Sequence, residues 1–398
     1  MTIGERVAWY RRRRGLSQEV LAGLVARTTD WLSKAENGRA NLDRLSVIKS
    51  LADALDVTVG DLLGEPSVLA WTGTAPERSV TSLRETLMDY PSLTSSLADA
   101  EPTSVVDLRS GVEAAWSAYQ ASRFGYTTSV LPQLLVGAQA AIREAGTGEE
   151  RKEAQRMLAL SYHAAAATLG KVGESELAWI ASDRGLAAAE ASEDQAVIAS
   201  LLRSVAHAML SNGRYDHAAS VVSRATDQLT KGNPAGDPTW WSLMGSLYLT
   251  GAMAAARADQ AAEARQFLAR ARQAGAQLGL DANHAWTAFG PTNVAVHDLS
   301  VAMELGNIQL ALHLAPKIDV RALPVERRVR HSLEVARVYH LANRPDDAVA
   351  TVLQAERDSP EQVRHHYIAR ELVLTWLRNR NTRTLPQVDA LALRLRLT

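Results

Sequence analysis

Apolar residues recur along most of this chain at the three- and four-residue spacing that places them on one face of a helix. The clearest stripe consists of Leu42, Leu45, Ile48, Leu51, Ala52 and Leu55. No run of four or more residues combines strict two-residue alternation with the turn residues of a hairpin, as strands require. The pattern therefore predicts an all-α fold.

The first 64 residues divide into five short amphipathic helices. Gly15 ends the first helix, and Ser17 and Thr28 carry the hydroxyl groups that favour the position just before a helix. An Asn-Gly pair at 37–38 ends the third helix, because both residue types tolerate the left-handed backbone that follows many helices. Two further apolar segments complete the unit.

A change of pattern follows residue 64, where Gly, Pro and Ser interrupt the helical periodicity and predict a linker over 65–80. In the remaining domain, 81–398, helices alternate with short turns, and residues 201–225 resemble one tetratricopeptide repeat, a helical hairpin that packs on its neighbours. With Gly213 as the reference turn, further turns are predicted at Gly125, Gly173, Asp259, Gly306 and Asn343. The sequence thus predicts six stacked hairpins.

The composition fits closely packed helices, because hydrophobic residues make up 46% of the 398 residues and aromatic residues only 5%. The absence of cysteine excludes disulfides, thiolate metal sites and a cysteine nucleophile. The start of the chain lacks the features of a signal peptide, and no apolar stretch is long enough to cross a membrane. We therefore expect a cytoplasmic protein without a membrane partner.

The charge gives no global sign of a nucleic-acid partner, since 43 basic residues face 44 acidic ones. Residues 1–64 hold ten Lys and Arg against eight Asp and Glu, a modest excess. Any affinity for DNA must therefore depend on where the basic residues lie, at Arg11 to Arg14, Lys34 and Arg39.

Enzyme motifs are not found in this sequence. It contains no H-E-x-x-H, G-x-S-x-G, Walker or dinucleotide-binding pattern, and Gly170 to Gly173 lacks the preceding strand that a phosphate loop requires. The adjacent His365 and His366 would point about 100° apart on a helix, which suits a metal poorly. We expect no catalysis, no cofactor and no metal site.

Residues 3–64 resemble the Xre or lambda-repressor type of helix-turn-helix domain. The resemblance lies in Gly15-Leu16-Ser17-Gln18, Leu21-Ala22, Val25, Glu36-Asn37-Gly38 and the closing segment Leu51 to Leu55. Two positions depart from the family pattern: Ala26 replaces the usual turn glycine, which predicts slight strain, and Arg27 replaces a small residue. Arg11 and Glu36 match a pair that forms an internal ion pair in this family.

The resemblance implies a set of DNA contacts that the chemistry of the residues supports. Helix starts favour phosphate, which suits Gln18 and Thr28, and Asn37 and Arg39 are expected to add phosphate contacts, with Arg44 as a further candidate. The residues expected to read base edges in the major groove are Thr29, Asp30 and Lys34. The expected partner is a double-stranded DNA operator.

An Xre-type domain followed by such repeats resembles the peptide-pheromone (RRNPP) regulators and actinobacterial helix-turn-helix regulators with tetratricopeptide repeats. The resemblance implies a transcriptional regulator, a homodimer, whose repeats sense a short peptide in a form of quorum sensing. An acidic metabolite is the second candidate effector. An alternative is a DNA-tethered protein-interaction scaffold that has no small-molecule effector.

The first helix of each stacked hairpin is expected to line a concave groove. The ligand-binding candidates on these helices are Arg123, His163, Arg203, His207, Asn293, His297 and Arg337. Basic residues outnumber acidic ones on this predicted face, so the groove should favour an anion such as a peptide carboxylate, while Asn293 can hold a peptide backbone. Each residue could instead be solvated or pack between repeats, and Trp240, Trp241 and Trp286 are expected in the core or a dimer contact.

Overall fold

The computed structural model describes residues 1–64, 75–89, 102–230, 236–378 and 386–397. Every regular element in these ranges is a helix, which confirms the all-α prediction. None of the described helices is long and apolar enough to span a membrane.

Five helices form the N-terminal domain, as predicted. They are α1 (Ile3–Arg13), α2 (Gln18–Leu24), α3 (Thr29–Glu36), α4 (Leu45–Leu55) and α5 (Val59–Leu63). The hydroxyl groups of Thr2, Ser17, Thr28 and Thr58 each accept a hydrogen bond from the N–H three residues later, which fixes four of the helix starts. Arg44 precedes α4 and makes no such bond, so α4 lacks a side-chain cap of its own.

Helical hairpins build the rest of the chain after α6 (Ala75–Met88), whose first six residues fall in the segment predicted as a linker. The hairpins are α7 (Val105–Gln120) with α8 (Phe124–Glu144), α9 (Gly148–Lys171) with α10 (Ser175–Ser192), α11 (Gln195–Ser211) with α12 (Tyr215–Thr230), α13 (Pro238–Arg257) with α14 (Ala261–Leu278), α15 (Pro291–Glu304) with α16 (Ile308–Leu314), and α17 (Val325–Leu341) with α18 (Pro345–Asp358). Helices α19 (Pro360–His365), α20 (Tyr367–Arg378) and α21 (Pro386–Arg394) follow.

The six hairpins share one turn geometry. A residue with left-handed backbone lies two positions after each first helix, at Ser122, Gly173, Gly213, Asp259, Gly306 and Asn343. The N–H of the next residue donates to the carbonyl five positions earlier at 2.8–2.9 Å, which satisfies the end of the helix. The first predicted turn is wrong, because Gly125 lies inside α8 while Ser122 adopts the left-handed conformation with φ 58°.

The hairpin array closes on itself, because its first turn contacts helix α19 near the end of the chain. The hydroxyl of Ser122 donates to the Oε1 atom of Gln362 at 2.7 Å, and the N–H of Gly125 donates to the carboxylate of Glu361 at 2.7 Å. The Nε2 group of Gln362 donates in turn to the carbonyl of Glu326 at 3.0 Å. The array therefore encloses a central groove.

The N-terminal domain packs against the array. Buried apolar side chains of α4 and α5 belong to one continuous cluster with those of α11 to α15. Gly213 approaches Val59 so closely that an added Cβ would lie 3.1 Å from its side chain. Polar contacts join the other side of the domain to helix α20. The N–H of Ile3 donates to Glu371 at 3.1 Å, and Arg378 donates to the hydroxyl of Thr2 at 2.9 Å.

Candidate DNA-binding surface and central groove

Helix α3 presents the predicted base-reading residues to solvent. Thr29, Asp30 and Lys34 are all exposed, and the ammonium of Lys34 donates to the carboxylate of Asp30 at 2.7 Å. Exposed ion pairs of this kind contribute little to stability, so a base edge can compete for either partner. Thr28 is exposed too, and the start of α3 that it caps is accessible to a phosphate.

A buried ion pair anchors helix α3 to α1. The guanidinium of Arg11 donates to both carboxylate oxygens of Glu36, at 2.6 and 2.8 Å, and also donates to the carbonyl of Leu16. Gln18, predicted to contact phosphate, donates its amide to the same carboxylate at 2.8 Å. Burial alone would raise the pKa of Glu36, but the hydrogen bonds from Arg11 and Gln18 hold it below its ordinary value.

The segment after α3 contains some residues that are exposed to solvent and one, Arg44, that contacts the repeats. Asn37 and Arg39 are exposed, as phosphate contacts require, and the amide of Asn37 donates to the carbonyl of Ser33 at 2.8 Å. Arg44 instead donates to the carbonyl of Glu304 at 3.1 Å and pairs with Asp259. In this arrangement Arg44 holds the two domains together.

The turn between α2 and α3 carries the strain that the sequence predicts. Ala26 has φ 51°, a left-handed conformation that costs an alanine about 1 kcal/mol relative to glycine. The N–H of Arg27 donates to the carbonyl of Ala22 at 2.9 Å, as in the turns of the repeat hairpins. The turn therefore keeps the usual geometry without the usual glycine.

The central groove contains a cavity of about 220 Å³. It is lined mainly by the first helix of each hairpin, as predicted, with additional residues from α19 and α20. Leu45, Val59 and Leu63 of the N-terminal domain also line it, so that domain forms part of the wall. Four of the predicted ligand-binding residues meet in this cavity, namely His163, Arg203, His207 and His297.

Arg203 and His163 form the polar centre of the groove. A guanidinium nitrogen of Arg203 lies 3.3 Å from the Nε2 atom of His163. Burial, together with the nearby Arg203, lowers the pKa of His163 well below its usual range, so the ring is neutral at pH 7. Since a guanidinium only donates, Nε2 accepts, and the Nε group of Arg203 has no protein partner among the described residues.

The other two predicted histidines of the groove, His207 and His297, are neutral as well. Burial and the charge of Arg327 lower the pKa of His297 to about 3, and its Nδ1 atom lies 2.9 Å from the carbonyl of Asn293. Burial and the charge of Arg203 hold the pKa of His207 well below its usual range. The histidines thus supply hydrogen-bonding groups and no charge.

Basic groups outnumber acidic groups in the groove. The charged lining residues are Lys171, Arg203, Arg257, Arg327 and Arg330 against Glu326 and Glu334. Lys171 pairs with Glu326, and Arg327 lies 3.7 Å from the same carboxylate. Burial lowers the pKa of Lys171 to about 8, despite the attraction of Glu326. Burial opposes ionisation of Glu326, but Lys171 and Arg327 lower its pKa to about 2.

Three predicted ligand-binding residues lie outside this cavity. Arg123 stacks over the ring of Tyr126 at 5.5 Å, and Asn293 is buried within α15. Arg337 pairs with Glu334 at 3.1 Å and lines a second cavity, of about 330 Å³, between the N-terminal domain and helices α17 and α20. The structure does not bring these three residues together with the other four. Their role in ligand binding stays a prediction.

Sequence reasoning missed Trp286 as a groove residue, because the half-buried Trp286 packs against a core cluster, as predicted, and also lines the cavity. Its ring stacks on Trp116 with centroids 5.3 Å apart and planes 7° apart. Trp286 lies in a short 3-10 turn in which it and Ala285 both have positive φ, so helical periodicity could not place it. An amide pair between Gln120 and Asn283, at 2.9 Å in both directions, ties this turn to the end of α7.

Glu326, Arg327, His366 and Tyr367 also line the cavity and were not predicted. Glu326 and Arg327 lie in the first turn of α17, about three turns ahead of the predicted contact Arg337, and the other two follow α19. Charged residues at the start of the first helix of a hairpin could have indicated that Glu326 and Arg327 line the groove. His366 and Tyr367 could not be predicted in this way, because α19 reaches the groove only when the array closes.

Comparisons with known proteins agree with this organisation. Residues 2–64 match the family described as "Helix-turn-helix domain", so the chain carries a helix-turn-helix domain at its N-terminus followed by a helical-hairpin array. No match is found among curated protein sequences.

Two solved structures resemble the chain. A Rap protein complexed with competence and sporulation factor matches 91% of this chain and 100% of its own, with 13% identity and a TM-score of 0.49. PlcR of Bacillus thuringiensis, in complex with the peptide PapR7 and DNA, matches 70% of this chain and 95% of its own, with 15% identity and a TM-score of 0.28.

Proposed function

We propose that this protein is a DNA-binding transcriptional regulator whose enclosed groove binds a small anionic effector. The effector is a short peptide by first preference and an acidic metabolite by second. The observation that carries the proposal is that the helix-turn-helix domain forms part of the groove wall, through Leu45, Val59 and Leu63. A ligand in the groove therefore lies against the domain that binds DNA.

The DNA-binding half of the proposal is supported by the exposed face of α3. Thr29, Asp30 and Lys34 remain accessible although the opposite side of the domain is packed on the repeats. An exposed helix with this residue set suits the major groove, where lysine favours guanine and aspartate favours the amino group of cytosine. Asn37 and Arg39 are available beside it for phosphate.

The effector half is supported by the enclosure and charge of the groove. An interaction scaffold needs a long open face, whereas here contacts such as Ser122 to Gln362 join the two ends of the array. The excess of basic lining residues, with Arg203 partly unpaired, favours an acidic ligand over a neutral one. These features favour the sensor over the scaffold.

The regulator is proposed to act as a homodimer in the cytoplasm, without a catalytic step, a cofactor or a membrane partner. Half-sites on DNA lie about 34 Å apart per helical turn, so two helix-turn-helix domains must be held at a matching separation. An effector that favours one position of the domain on its groove then changes the fraction of dimers that match the operator.

The effector is tested by mass spectrometry of small molecules released from the protein, purified from cells that express it naturally. The proposal predicts a bound acidic compound in the unmodified protein and in the control Arg224→Gln, whose side chain is exposed on α12. The compound should be lost in Arg203→Gln. Equal contents in Arg203→Gln and Arg224→Gln, or no compound in any sample, would refute the effector.

A further inference from the structure

Glu304 of the repeat array supplies the hydrogen-bond acceptor that the start of helix α4 lacks within its own domain. Arg44 lies at the cap position of α4 and provides no side-chain acceptor. The N–H of Leu45, the first residue of the helix, instead lies 3.4 Å from the Oε2 atom of Glu304. A carboxylate at this place also suits the positive end of the helix dipole. The N-terminal domain thus depends on the other domain for one of its helix caps.

The same carboxylate reaches the groove on its other side. The Oε1 atom of Glu304 lies 3.3 Å from the Nε atom of Arg257, whose side chain lines the cavity. The Glu304 side chain is only 1% exposed and is not itself part of the cavity lining. Arg257 therefore stands between the groove and the buried carboxylate, and Glu304 stands between Arg257 and Leu45.

We propose that the pair of Arg257 and Glu304 couples the charge in the groove to the docking of the helix-turn-helix domain. This inference rests on the proposed function, because it concerns the regulation of the same groove. When Arg257 is drawn to an anion in the groove, Glu304 is left as a buried charge under α4 without its partner. Residues 44 and 45 contact Glu304 and keep it covered on the side of the N-terminal domain, and a buried charge without a partner is destabilising, so loss of the pair favours release of the domain.

A double-mutant cycle in the full chain tests this coupling. Hydrogen exchange is followed at the amides of Leu45 to Val47, at the start of α4, in the unmodified protein, Arg257→Gln, Glu304→Gln and the double variant. Arg257→Gln is expected to speed this exchange about tenfold or more in the unmodified background. In the Glu304→Gln background, where no buried charge is left behind, the same change is expected to speed it less than about threefold.

Two controls separate coupling from general loosening. Asp298→Asn removes a neighbouring ion pair of α15, with Arg272, that does not touch the N-terminal domain, and it should leave exchange at α4 unchanged. Arg257→Lys keeps the charge and should restore most of the protection. An Arg257→Gln effect of equal size in both backgrounds, no effect at all, or the same effect from Asp298→Asn would overturn the proposal.

The cycle remains decisive even when Arg257→Gln alone fails to fold. The double variant carries two neutral groups, so it is expected to fold with a thermal transition near that of Glu304→Gln, and failure of this rescue overturns the proposal. The experiment uses neither DNA nor effector. A negative result therefore removes the coupling and leaves the proposed function standing, whereas failure of DNA or effector binding leaves the coupling result unaffected.

Discussion

Arg11 donates two hydrogen bonds to the carboxylate of Glu36, at 2.6 and 2.8 Å, and both side chains are buried in the N-terminal domain. The pair joins the end of α1 to the end of α3. It therefore fixes the orientation of the helix that carries Thr29, Asp30 and Lys34 before any DNA is bound.

The first prediction concerns the removal of this charge. Glu36→Gln leaves Arg11 buried without a counter-charge and should lower the stability of the N-terminal domain by about 3 kcal/mol. The measurement is the opening free energy of α1 and α3 amides by hydrogen exchange in the full chain. Asp30→Asn, which breaks only the exposed pair with Lys34, is the matched control and should cost less than about 0.5 kcal/mol.

The same pair predicts an acid dependence. Because the pKa of Glu36 is lower in the folded state than in the unfolded state, its contribution is complete above the ordinary glutamate pKa. The contribution is lost as the pH falls from there through the folded pKa. Protection of α3 in the unmodified protein should fall over that range faster than in Glu36→Gln. Parallel pH profiles would show that Glu36 is not the group responsible.

The strained turn predicts a stabilising substitution. Ala26→Gly removes the left-handed alanine and should stabilise the N-terminal domain by about 1 kcal/mol, measured as opening free energies in α2 and α3. Ala187→Gly, at an exposed position within helix α10, should destabilise its own helix by a similar amount. A loss of stability with Ala26→Gly would contradict the strain.

The closure of the array predicts the effect of Gln362→Leu. This change leaves the hydroxyl of Ser122 and the carbonyl of Glu326 without their partner and should cost about 2 kcal/mol locally. Amides of residues 122–126 should exchange faster in the variant. Gln354→Leu, at an exposed position of the neighbouring α18, is the control. Unchanged exchange at the first turn in Gln362→Leu would mean that the contact does not hold the groove closed.

Local chemistry explains why the helix-turn-helix domain was predictable. Hydroxyl caps at Ser17 and Thr28 and the Asn-Gly pair at 37–38 act within four residues, so the sequence states them directly. The same holds for five of the six hairpin turns, where a glycine, aspartate or asparagine adopts the left-handed backbone. Ser122 is an exception to that rule, and for this reason the turn of the first hairpin was predicted at the wrong residue.

The groove was only partly predictable because its closure is a tertiary event. The expectation that the first helix of each hairpin lines the groove correctly placed His163, Arg203, His207 and His297 together, since it needs only the periodicity of the hairpins. The contact between Ser122 and Gln362 joins positions 240 residues apart, and no local pattern indicates it. Trp286 reaches the cavity through a 3-10 turn, where a helical period gives no information about direction.

Sequence-selective DNA binding is the central property of the proposed regulator, and selection from a pool of randomised duplexes measures it directly. The full chain is predicted to enrich a defined sequence, the triple variant Thr29→Ala, Asp30→Ala and Lys34→Ala to enrich none, and Arg39→Ala to enrich the same sequence with weaker binding and a salt dependence smaller by about one ion. If the full chain enriches no sequence, or if the triple variant enriches the same one, the assignment of α3 as the base-reading helix of a transcriptional regulator is contradicted.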